Sequence, residues 1–465
     1  MRIGREGAPG GANGGSRGSE GAPGGACGDE CKEAPGGACY DVPGGANGGT
    51  QGGVRNGAWG VYVHVPFCVS RCRYCDFNTY SGMGRYEKPY FEALDREIGA
   101  FFSGEAAGRA YADTVFFGGG TPTSVDPAHI AGALSGIPRN NSDGTAKSRD
   151  GCSWECTIEA NPGTLSPDKL IAYAAAGVNR LSIGLQSTHD AHLKMLGRIH
   201  AYADFTDNFR AARDAGFDNI NADLIFGLPG QTAQEWEQTL ESVVSLGIRH
   251  LSCYSLSLEE GTPLRAAVDR GELPAPDEDL DRRMYHFAIA YLASAGIYQY
   301  EISNFAEPGR ECGHNLKYWT GCRYRGFGAG AHSYDGAARY SNARTIDGYI
   351  DRIMSCKSET GMPSASYKSE TGMLPASDTA AAEEYEAIDA AEREKEFIIL
   401  RLRLARGFCD AEFRRHFGYS FFDKYKPIVG GLAASGLIET GNDGGSVRLT
   451  PRGMDMANSV FIKFI

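Results

Sequence analysis

Val61-Tyr62-Val63-His64-Val65-Pro66-Phe67-Cys68-Val69-Ser70-Arg71-Cys72-Arg73-Tyr74-Cys75-Asp76-Phe77-Asn78 carries a strand-like apolar run straight into a loop with three cysteines, spaced as C-x3-C-x2-C. Such a loop delivers three thiolates to three irons of a 4Fe-4S cluster and leaves the fourth iron open, whereas clusters that only carry electrons use four cysteines. Cys68, Cys72 and Cys75 are therefore the expected metal ligands. A zinc knuckle is the other reading, but it wants a fourth Cys or His at close spacing, and the chain after Cys75 continues Asp-Phe-Asn-Thr-Tyr. Within 61–65, strand alternation sets Tyr62 and His64 on one face and the three valines on the other. Tyr62 and His64 are the expected inward pair.

Outward from this run, strand-like and helix-like segments alternate. Strands are expected at 61–65, 114–117, 155–160, 180–185, 219–226 and 250–256, with helical periodicity between them, as at 87–102 and 233–246. Six βα units in series give a parallel sheet curled into part of a barrel, an α/β fold. Function in such folds collects in the loops after the strands. Gly118-Gly119-Gly120-Thr121-Pro122-Thr123 follows the second strand, and its glycines let backbone N–H and C=O groups approach a ligand. A glycine run alone is a weak signal, since tight turns use it too; its place one βα unit after the cysteine loop strengthens it. Glu159 ends the third strand and suits ribose hydroxyls, Gln186 ends the fourth, Asp223 lies in the fifth, and Arg198 is a fixed cation suited to a carboxylate.

Together these motifs resemble radical S-adenosylmethionine (SAM) enzymes, from about Gly60 to the C-terminus. More narrowly they resemble the family holding the oxygen-independent coproporphyrinogen III dehydrogenases and the HemW haem chaperones. The resemblance implies a partial (β/α)6 radical SAM barrel with a 4Fe-4S cluster and SAM as cofactors. It carries SAM contacts onto Tyr62, Tyr74, Gly119, Gly120, Thr121, Glu159, Gln186, Arg198 and Asp223, with the glycine motif at the methionine amino group. A reduced cluster chelating SAM can pass an electron into the sulfonium and release methionine and a 5'-deoxyadenosyl radical.

The dehydrogenases have a further cysteine two residues after the third ligand, where this chain has Phe77. That departure sets the chain with the haem chaperones and puts coproporphyrinogen decarboxylation in doubt; the catalytic residues stay unassigned. Gly313-His314-Asn315-Leu316-Lys317-Tyr318-Trp319 resembles the H-N-x-x-Y-W motif of those chaperones, and 300–305 and 326–334 also match the family. An imidazole beside Tyr and Trp can serve haem, with His314 as ligand and Tyr318 covering the macrocycle. A His-Asn-Tyr cluster that ties a loop to the barrel edge is the equal alternative. His332, Cys312 and Cys322 are weaker candidate ligands.

Length and composition set the frame. With 465 residues and 42% hydrophobic content, two or three domains and a sizeable core are expected. The 13 cysteines lie scattered without a disulfide pattern, and no signal peptide is legible, so a reducing, cytoplasmic setting is expected. A net charge of -12 offers no basic footprint for phosphate backbones and speaks against nucleic acid and against RNA-modifying radical SAM enzymes. No apolar run reaches the ~18 residues of a membrane span.

The expected domains are a disordered Gly-rich arm (1–55), the barrel with its connecting region (56–354, polar insert 139–151), a polar linker (355–380) with a repeated Lys-Ser-Glu-Thr-Gly-Met, and a C-terminal domain (381–465). Cys27, Cys31 and Cys39 of the arm read as incidental, and its acidic residues argue against a mitochondrial transit peptide. In the last domain a helix at 381–401, two more helices, a hairpin around 441–445 and a final helix after Thr450 give an α+β, winged-helix-like outline. It suits a lid over the barrel mouth or a docking surface for a haem-receiving partner. The expected function is a haem chaperone delivering to membrane respiratory haemoproteins. Peripheral membrane contact is left open, as is the choice between monomer and homodimer.

Overall fold

The computed structural model describes residues 58–103, 110–139, 154–355, 368–369, 372–373, 380–441 and 445–465. The N-terminal arm with its cysteines, nearly all of the 139–151 insert and most of the 355–380 linker lie outside the described residues. Six strands, β1 (Ala58–Val65), β2 (Tyr111–Gly119), β3 (Glu155–Ala160), β4 (Arg180–Gln186), β5 (Asn219–Phe226) and β6 (His250–Ser255), lie side by side in chain order, each parallel to the next. They fall where alternation places them. Helices such as Glu87–Ser103 and Ala233–Ser245 connect them; the second opens on a capping box in which Thr232 and Glu235 satisfy each other's backbone amides. Val61, Val63 and Val65 are buried against the helical layer, while Tyr62 and His64 face the lumen and hydrogen-bond each other.

The sheet is wider than the six units foreseen. Tyr324–Phe327 pairs in parallel with the free side of β1, with Gly326 opposite Tyr62, so seven strands run parallel. Beyond it His332–Tyr334, Ala338–Asn342 and Ala382–Ala387 continue antiparallel; at the far margin Asn304–Ala306 pairs antiparallel with β6 and with Tyr298–Glu301. The helix expected over 381–401 is corrected here. Ala382–Ala387 is a strand, with Tyr385 opposite Tyr340, and the helix begins at Ala390, where Asp389 accepts from the Glu392 amide. Backbone pairing with a distant strand outweighs the helical preference of Ala and Glu.

The C-terminal segment has its own aromatic core of Phe397, Phe408, Phe413, Phe421, Phe461 and Phe464. Phe408–Cys409, Ser446–Leu449 and Ile438–Thr440 form its small antiparallel sheet. Gly453 has to be glycine: a Cβ there would lie 1.8 Å from the Leu437 carbonyl oxygen. The segment touches both margins of the large sheet. Ala405 donates to the Tyr300 carbonyl on one, and Arg339 pairs with Glu396 on the other. Arg282 and His286 meet Asp455, and the Arg403 guanidinium stacks over Trp319. Among the described residues no helix is long and apolar enough to cross a membrane.

Candidate functional site

Every inward position of β1 to β6 is read off by alternation, and the register aligns them in tiers. His64 stands level with Gly118, Tyr62 with Phe116, Glu159 with Ser182 and Gly184 with Asp223, and Gln186 follows a register shift at the C-terminal end of β4. The cysteine loop caps this end. Arg73 pins it by donating its amide to Leu196 and accepting from Leu264, and Tyr80 donates to Pro66. A closed polar chain then joins two of the cysteines. Thr121 Oγ1 is 3.5 Å from Cys68 Sγ, Asn161 Nδ2 donates to Thr121 Oγ1 (2.7 Å), Arg198 Nη2 donates to Asn161 Oδ1 and the Gly184 carbonyl, and Arg198 Nη1 donates to Cys72 Sγ (3.3 Å). Beside Cys72 a small cavity of about 30 Å³ is lined by Val69, Thr121, Asn161, Arg198, Ile199 and His200.

The glycine motif is shaped by its neighbours as much as by any ligand. Gly119 sits at φ 107° with the His64 ring 2.4 Å from where a Cβ would stand, and a Cβ on Gly120 would meet the Phe67 and Val65 carbonyls at 2.6 and 2.8 Å. His64 donates from Nε2 to the Asn78 carbonyl (2.9 Å), which can only accept, so Nδ1 keeps its lone pair and accepts from Tyr62 (3.0 Å). Burial lowers this imidazole to about 4 and keeps it neutral. The lone pairs of the Tyr62 oxygen are thereby left for the lumen. Asn78 in turn donates to the carbonyls of Ala329 and Arg344, which anchors the exit of the cysteine loop. His64, Asn78 and Asn161 were not assigned from sequence; Asn161, two residues beyond Glu159 and so on the same strand face, carried the most legible signal.

Glu159 accepts from the Gly119 amide (3.1 Å), and desolvation, aided by repulsion from Asp223, pushes its carboxyl up to about 8, although the residue is only half-buried. Asp223 accepts from Ser182 and Asn221, and burial raises it too. Gln186 holds φ 65°, the one positive non-glycine φ among the described residues, and its buried Oε1 has no partner there. Tyr74 packs against Leu196, Ile225, Leu228 and Leu264, and burial raises its phenol.

A pH dependence follows. Between the ordinary carboxylate range and about 8 the folded chain holds a proton on Glu159 that the unfolded chain releases, so ligand-free stability falls as pH rises through this window. Glu159→Gln is expected to flatten that slope in denaturant titrations at pH 5 to 8.

His314 and Tyr318 lie at the other end of the barrel. The Gly313 and His314 amides donate to the Glu155 carboxylate (2.9 Å each), and Lys317 pairs with Asp113 (2.8 Å); both acids stand at the N-terminal strand ends. Thr114 and Gly119 on β2 are five residues apart, or roughly 16 Å at ~3.3 Å per residue. The structure therefore does not bring the motif to the cysteine loop. His314 is fully buried, with Nδ1 3.0 Å from Thr114 Oγ1, Nε2 2.9 Å from Tyr318 Oη, and its ring stacked on Phe116. Both nitrogens are spent, and burial lowers the ring to about 3. Cys312 is buried beside Glu155, Cys322 lies beside Thr320, and His332 is exposed on an outer strand.

The orphaned Gln186 oxygen, the glycine cradle and the three half-buried thiols, two of them joined by one polar chain, fit an iron-sulfur cluster with SAM beside it. The fold and this mouth are those of radical SAM proteins. Residues 62–243 match the Radical SAM superfamily and 388–456 the HemN C-terminal domain. The chain is 36% identical over 404 residues to the heme chaperone HemW of Bacillus subtilis, covering 87% of this chain and 98% of that one. It is 41% identical over 272 residues to the mitochondrial radical S-adenosyl methionine domain-containing protein 1 of Mus musculus, 58% of this chain and 60% of that one. Coproporphyrinogen III oxidase (HemN) from Escherichia coli shares the fold, with a TM-score of 0.71 at 21% identity over 88% of this chain and 90% of that one. The chain belongs to the HemW family.

Proposed function

We propose that the chain is a haem chaperone of the cytoplasm, which binds haem and a SAM-liganded 4Fe-4S cluster and delivers haem to respiratory haemoproteins. The observation that carries this reading is Phe77, 64% exposed beside a complete three-cysteine mouth, at the position where the porphyrin-forming dehydrogenases have a further cysteine. The kinship with the heme chaperone of Bacillus subtilis supports it.

Cys68, Cys72 and Cys75 hold three irons. Gly119, Gly120 and Thr121 present backbone to the amino-acid end of SAM, and Arg198, fixed by Asn161 and Gly184, presents the remaining edge of its guanidinium to the carboxylate. Tyr62 offers oxygen lone pairs, Glu159, Gln186 and Asp223 offer acceptors to the nucleoside, and Tyr74 backs the cysteine loop. Bound there, the cluster and SAM supply one-electron chemistry at a C–S bond.

The test is an anaerobic haem titration of the cluster-reconstituted chain, followed at the Soret band, then transfer to a haem-free acceptor. Saturable binding and transfer are expected. Absence of specific binding would overturn the reading, and CO2 release from coproporphyrinogen would replace it with the dehydrogenase.

A further inference from the structure

The cluster end of the barrel has an exposed surface that binding of SAM does not account for. Val69, Phe77 and Ile199 are 63%, 64% and 69% exposed. Single exposed apolar side chains are ordinary. These three bracket one site: Val69 follows Cys68, Phe77 stands two residues beyond Cys75, and Ile199 follows Arg198. Val69 and Ile199 also line the cavity beside Cys72. The exposed charged side chains among them are Arg71, Lys194 and, next to Phe77, Asp76, so two cations stand against one carboxylate. Arg71 is exposed and donates to the Cys75 carbonyl (3.2 Å), and Lys194 is exposed at the turn whose carbonyl accepts from Gly197. Neither makes a carboxylate ion pair among the described residues, in a chain whose net charge is -12.

We propose that this rim is where haem docks, its macrocycle against Val69, Phe77 and Ile199 and its propionates toward Arg71 and Lys194. The inference rests on the chaperone reading above and names the site within it. A flat apolar ring with two carboxylates matches both halves of the rim. A folded protein partner would bury about 800 Å² on this side, more than three isolated side chains supply. At the floor of the barrel His314 is fully buried with both nitrogens bonded, so it presents no free nitrogen to haem there.

The experiment uses the full, cluster-reconstituted chain under anaerobic conditions, titrated with haemin and with haemin dimethyl ester. Phe77→Asp combined with Ile199→Asp places two carboxylates on solvent-exposed positions, and haemin affinity is expected to fall by about tenfold or more. Arg71→Glu is expected to weaken haemin severalfold and leave the dimethyl ester unchanged. Cluster iron and sulfide content is measured on each variant; should the aspartate pair disturb the cluster, the Arg71→Glu comparison decides alone. Wild-type haemin affinity in these variants would overturn the rim and leave the chaperone standing. No haemin binding by the unaltered chain would overturn the chaperone reading itself.

Discussion

Replacing Cys68, Cys72 and Cys75 together by alanine is expected to abolish the broad visible absorption of the cluster, take iron and acid-labile sulfide to background, and weaken SAM binding by about tenfold or more. The loop itself is expected to survive. Its path is held by the Arg73 amide on Leu196, the Leu264 amide on Arg73, the Tyr80 amide on Pro66 and the Asn78 side chain on Ala329 and Arg344, none of which uses a thiol. Far-ultraviolet circular dichroism should therefore match the parent chain. A triple variant that retained full iron and sulfide would show that the ligands lie elsewhere.

His314→Ala is expected to destabilise the fold by about 2–4 kcal/mol while leaving haem affinity and cluster content in place. The substitution empties a fully buried site under Phe116 and strands the hydroxyls of Thr114 and Tyr318. Phe116 stacks in turn on Tyr62, so a modest loss of SAM affinity should accompany the loss of stability. Were His314 a haem ligand, one of the two readings the motif leaves open, the substitution would leave the cluster intact and weaken haem binding. Urea unfolding and a Soret titration on the same preparation separate the two: a folded variant of parental stability that no longer bound haem would restore His314 as the ligand.

The C-terminal segment bears on the same question. Lid and docking surface were both compatible with its outline. The contacts described here fall on the two sheet margins, on Arg282 and His286 and on Trp319. They leave Val69, Phe77 and Ile199 exposed at the cluster end.

What the sequence determined by itself was whatever lies within a short contiguous stretch. The cysteine spacing is complete between Cys68 and Cys75, alternation over 61–65 already separates Tyr62 and His64 from the valines, and each of the six strands carries its own apolar signal. The same local reading put Glu159, Gln186 and Asp223 in the strands that face one lumen, because strand periodicity fixes the face of a residue once the strand is known. Tertiary structure decided everything that depends on register between distant segments. Arg198 reaches Cys72 across 126 positions, His314 settles on Thr114 across 200, and Tyr324–Phe327 becomes the seventh parallel strand by pairing with β1. The helical preference of 382–387 yields for the same reason: its backbone amides find partners on Ala338–Asn342 that no local pattern announces. A motif names the side chains that meet a ligand or a neighbour, but which end of the barrel they occupy is set by where the intervening chain packs, and that is a property of the whole sheet.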